Sequence, residues 1–343
     1  MELRTLGATG IRVSPLCLGT MMFGAIGNPD HGECERTIHR ALDAGINFID
    51  TADGYSVGEA ETIVGKAIRH RRDSLIIATK FYASMGEDPN MGGASRRWIV
   101  RAVEDSLRRL GTDYIDLYQL HRYDVSTDME EVLFTLTELV RQGKIRQFGS
   151  SSFPADRIVE SQWVAERRGT LRFRTEQPAY SIFNRDVERF VLPACRRYGM
   201  GVMTFSPLDG GFLSGRYRGP EDLEGENRIA YFSRRMRGSF DPQAMWVRRK
   251  LECVADLTKL AGEAGTTLPQ LAVAFAIQHP AVTAAIIGPR TMAQLEDLLP
   301  AGNLKLDSET LDRIDAIVPP GTSLNPSHYD LPSATTPAEL RRG

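Results

Sequence analysis

The chain alternates between two kinds of segment almost to its end. Short runs rich in Val, Ile, Leu and Phe at 16–19, 47–50, 75–79, 114–120, 145–150, 172–177, 201–205 and 282–287 read as eight strands. Helical patterns separate them at 31–44, 59–69, 97–110, 129–141, 154–167, 186–198, 244–264 and 269–279, and a last one follows at 291–299. In 97–110, for example, Ile99, Val103, Leu107 and Leu110 share one helical face, and Gly143 marks the end of 129–141.

Alternating strand and helix force the strands to run parallel, and uninterrupted apolar runs imply strands covered on both faces. An open doubly wound sheet and a closed barrel both meet that demand. Eight units favour closure, so the expected fold class is α/β, a (β/α)8 TIM barrel. Residues 4–6 and 12–14, flanking the glycines of 7–10, read as an N-terminal β-hairpin capping one end.

A length of 343 residues would also accommodate two domains, but no Pro-, Gly- or Ser-rich linker divides the chain and no repeat is visible beyond the strand–helix rhythm. We expect 1–318 to form the barrel and 319–343, rich in Pro, Ser and Thr, to be a tail with little regular structure. Two irregular stretches, 81–95 and 208–242, follow strands. In a barrel such loops build the face that carries chemistry.

A hydrophobic fraction of 42% with a formal net charge of −2 describes a chain able to bury a large core and without a global field for nucleic acid or an anionic membrane. The start, MELRTLGATGIRVS, lacks the basic flank and apolar core of a signal peptide, and no run approaches 18 apolar residues; the expected location is the cytoplasm, away from membranes. Cys17, Cys34, Cys195 and Cys253 are scattered with no C-x-x-C pair, so neither a disulfide framework nor a metal site is expected. GEAETIVGK at 58–66 imitates a phosphate loop, but Ala67 stands where Ser or Thr is needed and Ala60, Ile63, Val64 and Ala67 form a helix stripe. Neither G-x-G-x-x-G nor G-x-S-x-G occurs. His31, His39, His70, His279 and His328 read as surface or helix-end residues.

Four ionisable residues sit at or just beyond strand ends: Asp50 in NFIDTADGY, Tyr55 after it, Lys80 in IIATK, and His121 in YIDLYQLH. A barrel brings such ends to one rim. Each has an ordinary reading, as a helix cap, a loop aromatic, a solvated lysine or a backbone-bonded histidine. Together they suit carbonyl reduction. Hydride addition to a carbonyl places negative charge on oxygen, which must be protonated or stabilised as it forms. Tyr55 would give the proton, Lys80 would lower the phenol pKa, Asp50 would fix Lys80, and His121 would hydrogen-bond the carbonyl. The hydride must come from a cofactor.

The chain resembles the aldo-keto reductase superfamily from about Leu3 to Val318: GINFIDTADGYSVGEAE, ATK, YQLH, FGSSSF, EQPAYS, FSPLDGGFLSGRY and IIGPRTMAQLEDL occur in the family's order. The likeness is to its bacterial and potassium-channel β-subunit branch. That resemblance implies a (β/α)8 barrel, NADPH (NADP+) laid across the strand ends, and a tetrad of Asp50, Tyr55, Lys80 and His121. It also places Gly19, Thr20 and Met21 beside the nicotinamide ribose, makes Asp50 a further cofactor contact, and puts Ser151, Ser152 and Gln177 on the carboxamide. Phe205 would stack on the ring, and Ser206, Pro207, Leu208, Gly210, Ser214 and Arg216 would follow the pyrophosphate. Gly288, Arg290, Thr291, Gln294 and Asp297 would receive the adenosine end, with helix-start amides and Arg290 favouring NADPH over NADH.

Ser152, Leu298 and Arg216 depart from the family's usual Asn, Asn and Lys, which loosens the carboxamide and adenine contacts. The expected activity is reduction of an aldehyde or ketone, with a sugar-like carbonyl as one substrate class; specificity is expected from 82–95, 122–124, 216–241 and the region of His328 and Tyr329. Phe23, Tyr82, Trp98, Phe232 and Trp246 are the candidate pocket aromatics, and Arg234, Arg235 and Arg237 the candidate cations. Alternatives are a cofactor-loaded sensor or channel-associated subunit with vestigial turnover, against which His121 speaks, and a Schiff-base enzyme using Lys80, which leaves Asp50 and Tyr55 without a role. Oligomeric state is left open.

Overall fold

The computed structural model describes residues 1–223, 229 and 241–324. Eight parallel strands close into a barrel: β3 (Leu16–Gly19), β4 (Phe48–Asp50), β5 (Ile76–Phe81), β6 (Ile115–Leu120), β7 (Ile145–Ser151), β8 (Thr175–Gln177), β9 (Gly201–Thr204) and β10 (Ala284–Ile287), with β10 returning to pair with β3. The expected (β/α)8 barrel is the fold.

Side chains alternate along each strand, and the two faces fill two cores. Cys17, Phe48, Ala78, Leu117, Met203 and Ala284 pack together inside the barrel. Their neighbours Leu18, Ile49, Ile77, Tyr118, Val202 and Ala285 pack outward against the helices. This parity decides the site. Two residues beyond the inward set lie Gly19, Asp50, Lys80, Gln119 and Phe205, and the same step from Gln119 reaches His121.

The opposite end is plugged. The two-residue strands β1 (Arg4–Thr5) and β2 (Arg12–Val13) pair antiparallel and send buried Leu6 and Val13 into the barrel interior. Gly7 (φ +53°) crosses the start of β9, where a Cβ would come within 2.2 Å of the Gly201 nitrogen. The hairpin is shorter than 4–6 and 12–14 suggested, because 7–9 turn as a 3-10 helix instead.

The helices wrap the barrel: α1 (His31–Asp43), α2 (Glu59–Ile68), α3 (Arg96–Leu110), α4 (Met129–Arg141), α5 (Ala155–Arg168), α6 (Val191–Arg197), α7 (Met245–Glu263), α8 (Leu268–Gln278), α9 (Met292–Leu298) and α10 (Ser308–Ile317). Ser95 caps α3 by accepting from the Trp98 amide, and Gly111 ends it in the left-handed region. Thr267 and Gln270 form a capping box on α8. Two expectations need correction. The stretch 186–198 is a 3-10 turn (Asp186–Glu188) and then α6, since Pro193 cannot donate to the carbonyl of Arg189. Helix α10 was missed, although Asp307 caps it and Thr310 and Ile314 are buried one turn apart.

Residues 319–324 lie along 183–185: the Leu324 amide donates to Phe183 O (2.8 Å) and the Arg185 amide to Thr322 O (2.8 Å). The rest of the tail, with His328 and Tyr329, lies outside the described residues, as do Phe232, Arg234, Arg235 and Arg237. Among the described residues no helix is long and apolar enough to cross a membrane.

Candidate active site

Asp50 is the last residue of β4, and Lys80 faces the same interior from β5. Lys80 is fully buried, and the three donors of its ammonium are used. It donates to Asp50 Oδ1 (2.5 Å), Thr51 O (2.8 Å) and the Tyr55 hydroxyl (3.1 Å). Asp50 Oδ2 accepts from Gln177 Nε2 (2.9 Å) and Gln119 Nε2 (3.4 Å). The carboxylate is therefore held from three strands. Gln119 was not anticipated, yet it lies two residues past inward-facing Leu117 and two before His121.

Tyr55 opens a turn in which Ser56 (φ 48°), Val57 (φ 54°) and Gly58 (φ 89°) are all left-handed. A β-branched residue rarely takes that conformation, so the turn must be held from outside. Ser56 does this by donating its hydroxyl to Phe23 O (2.9 Å) while accepting from the Ile26 amide (3.1 Å). The Tyr55 ring meets His121 edge-on, centroids 5.8 Å apart, and Lys80 Nζ lies 4.8 Å from its centre.

Burial raises the Tyr55 pKa above its ordinary value; Lys80 pulls it down but does not overcome burial. The sequence-based expectation of a phenol made more acidic by Lys80 is thereby reversed in net direction: Tyr55 is a protonated phenol. Burial works against the charge of Lys80, but Asp50 and Tyr55 outweigh it and its pKa is raised. His121 is pushed well below its usual range by burial, then by Lys80 and Arg122, so its imidazole is neutral near pH 7. A neutral imidazole still donates one N–H.

These groups form one end of a cleft of about 630 Å3. Asp50, Tyr55 and His121 line that end, joined by Gly19, Thr20, Met21, Ser151, Gln177 and Phe205. Ser206, Pro207, Leu208, Gly210, Ser214 and Arg216 also line the cleft, as do Gly288, Arg290, Gln294 and Asp297. Ser206 (φ 55°), Gly210 (φ 67°) and Gly211 (φ 114°) give the 206–216 segment its tight winding. It is braced from behind by Asp209, which accepts from the fully buried Lys250 (2.5 Å).

Some expected contacts fall elsewhere. Ser152 does not line the cleft: it sits at φ 57° with its hydroxyl accepting from Arg122 Nη1 (3.0 Å). Thr291 is spent as the N-cap of α9, bonded to the Gln294 amide, and the Arg290 amide donates to Gln294 Oε1 (2.8 Å). The Gln294 amide is thus already partnered within the chain, and the Arg290 side chain is exposed at the cleft. Asp297 Oδ1 accepts from Thr267 and Gln270 (both 3.2 Å). Phe23 and Trp98 are buried in the outer core, and neither Tyr82 nor Trp246 lines the cleft. Sequence position near a strand end does not reveal which way a loop aromatic turns.

The donor set suits an extended molecule with a flat ring at one end and phosphates at the other. Phe205 offers a ring face, Gln177 Oε1 and Asp50 hydrogen-bonding edges, and Arg216 and Arg290 exposed positive charge. A nicotinamide dinucleotide has that shape and charge.

Comparison with known proteins agrees. Residues 15–319 match the family described as the Aldo/keto reductase family. An uncharacterized oxidoreductase of Bacillus subtilis, YrpG, is 38% identical over 342 residues, covering 96% of this chain and 99% of that protein. Probable voltage-gated potassium channel β subunits of rice and Arabidopsis thaliana are each 34% identical over 328 residues, covering 93% of this chain and 97% of theirs. Enzymes of this family are oxidoreductases that act on carbonyls with a nicotinamide cofactor. With its barrel, its rim of Asp50, Tyr55, Lys80 and His121, and a match over nearly its whole length, this chain is a member of the aldo/keto reductase family.

Proposed function

We propose that the chain reduces an aldehyde or ketone to an alcohol with NADPH, as a cytoplasmic enzyme whose catalytic unit is 1–318. One observation carries this reading: Lys80 Nζ is bonded at once to Asp50 and to the Tyr55 hydroxyl, beside a neutral His121, at the base of the cleft.

The bound cofactor supplies the hydride from its nicotinamide ring. Gly19, Thr20, Met21, Ser151 and Gln177 hold that ring's surroundings, Phe205 covers one face, and 206–216 follow the pyrophosphate. Arg290 with Gly288, Gln294 and Asp297 receives the adenosine end, and the exposed guanidinium at Arg290 favours a phosphorylated ribose. As the carbonyl carbon gains hydride, its oxygen takes the proton of the Tyr55 hydroxyl. The resulting phenolate is stabilised by Lys80, whose charge Asp50 keeps in place, and regains its proton from solvent. His121 donates an N–H to the same oxygen and orients it. Such a positioned proton donor contributes roughly 100- to 10,000-fold in rate.

The likeness to channel β subunits favours one second reading, a cofactor-binding subunit with little turnover. Schiff-base chemistry at Lys80 is disfavoured, since its amine is buried, charged and fully bonded. Incubation of the purified chain with NADPH or NADH and a panel of aldehydes, ketones and keto-sugars separates the two remaining readings. The reductase reading expects carbonyl-dependent oxidation of NADPH in preference to NADH; saturable NADPH binding with no substrate oxidising it would favour the subunit.

A further inference from the structure

The reacting end of the cleft contains a cation that has no part in the proposed proton transfer or in the proposed cofactor contacts. Arg122 follows His121 directly, is half-buried, and lines the cleft. Its Nη1 donates to His121 O (2.9 Å) and to Ser152 Oγ (3.0 Å). These two bonds set the guanidinium against the wall. They use the two hydrogens of one nitrogen and leave three N–H donors without a partner among the described residues.

Its charge lacks the close carboxylate that the most deeply sheltered cations have, and unlike Arg4 and Arg174, which are also half-buried without an ion pair among the described residues, it lines the cleft. Lys80, Lys250, Arg185, Arg109 and Arg72 each have a carboxylate within 2.8 Å. Among the described residues no carboxylate comes within ion-pairing distance of Arg122. Glu176 acts on it at longer range, but both Glu176 oxygens are engaged, by Ser150 and by the Phe153 amide, and burial pushes that carboxyl up to about 7. A half-buried guanidinium without a counter-charge is costly, and a guanidinium does not lose its proton. An anion from outside would relieve that cost.

We propose that Arg122 binds an anionic group of the substrate, so that the preferred substrates are carbonyl compounds carrying a carboxylate or phosphate close to the reacting carbon. The inference rests on the reductase reading for its chemistry and on Arg122 alone for its selectivity. The open side of the guanidinium is a planar fork matched to carboxylate and phosphate oxygens. Its place next to His121 puts the anion beside the carbonyl that His121 and Tyr55 would engage. A charge-assisted pair in such a site corresponds to roughly 10- to 100-fold in affinity or in kcat/KM.

The test compares matched pairs on the full chain with NADPH: benzaldehyde against 4-carboxybenzaldehyde, and glyceraldehyde against its 3-phosphate. The wild type should favour the anionic member by about 10-fold or more in kcat/KM, with the advantage shrinking as salt rises. Arg122→Gln should erase most of that ratio and Arg122→Lys restore part of it; the pair with the larger ratio tells carboxylate from phosphate. Calorimetric binding of benzoate and of inorganic phosphate to the NADP+-loaded chain, wild type and Arg122→Gln, gives a readout independent of turnover. Arg122-dependent anion binding without reduction of any aldehyde would uphold the site and sink the reductase reading. Reduction with no anionic preference would overturn the inference and leave that reading standing. A loss of NADPH affinity in Arg122→Gln as large as the loss for the anionic aldehyde would also overturn it, by assigning Arg122 to the cofactor.

Discussion

Lys80 Nζ lies 3.1 Å from the Tyr55 hydroxyl and 2.5 Å from Asp50 Oδ1, so one buried ammonium joins the proposed acid to the carboxylate that fixes it. Two shifted groups set the pH behaviour of this arrangement. Tyr55 is raised by burial and stays protonated up to and past its ordinary range; His121 is depressed by burial and stays neutral well below its ordinary range. Proton transfer needs the protonated phenol, and a His121 that stays neutral adds no charge change to the site over this range. The pH profile of kcat/KM for a neutral aldehyde should therefore be flat from about pH 6.5 to 9, with its alkaline fall near or above about pH 10. An acid limb near pH 6.5 would show that His121 titrates normally. Lys80→Met should lower kcat by about 100-fold or more without changing NADPH binding by a comparable factor.

Behind the tetrad, Asp53 is buried, with Oδ1 accepting from the Gly54 amide (2.6 Å) and Oδ2 without a partner among the described residues. Burial, then the charge of Glu61, raises its pKa to about 8, against the lowering pull of Arg109 and Lys80. The folded chain thus holds a proton there that the unfolded chain releases near pH 4. Stability attributable to Asp53 is complete below pH 4 and is lost as pH rises toward 8, by up to about 1.4 kcal/mol per pH unit. Denaturant midpoints of Asp53→Asn and wild type should diverge over that interval, the variant gaining relative stability as pH rises. A difference that does not change between pH 5 and 8 would contradict the buried proton.

Lys250 and Asp209 tie α7 to the segment proposed to carry the pyrophosphate. Lys250 lies 4.5 Å from the Phe212 ring centre and 5.1 Å from that of Trp246, an enclosure in which an unmatched charge is expensive. Lys250→Met leaves Asp209 buried opposite a thioether and should cost about 3 kcal/mol or more. Adding Asp209→Asn should recover a substantial part, because the remaining charge is then gone. Equal stability of single and double variants would show that the two side chains are not coupled.

How much of this was legible in the sequence depends on what each feature required. The barrel was, because eight apolar runs and their helical partners are local patterns. So was the convergence of Asp50, Lys80 and His121 on one rim, since each lies at or next to a strand end with inward parity, while Tyr55 comes from the turn that follows β4. Gln119 followed from the same parity and was missed because glutamine carries no obvious chemistry. The net rise in the Tyr55 pKa was not readable, for it weighs burial against Lys80, and burial is a property of the folded chain. The outward turn of Ser152 depends on a left-handed backbone and on Arg122, thirty residues away in sequence. Phe23 and Trp98 illustrate the same limit: neither a place just after β3 nor one in the first turn of α3 distinguished a pocket wall from the outer core.

The central claim, that Tyr55 delivers the proton, is tested most directly by Tyr55→Phe, which removes one oxygen from a ring whose packing against His121 and Lys80 is otherwise kept. Pre-steady-state oxidation of bound NADPH by a carbonyl that the wild type reduces should slow by at least about 100-fold in the variant, with NADPH affinity within a few-fold of wild type. Oxidation at the wild-type rate in Tyr55→Phe would contradict the account.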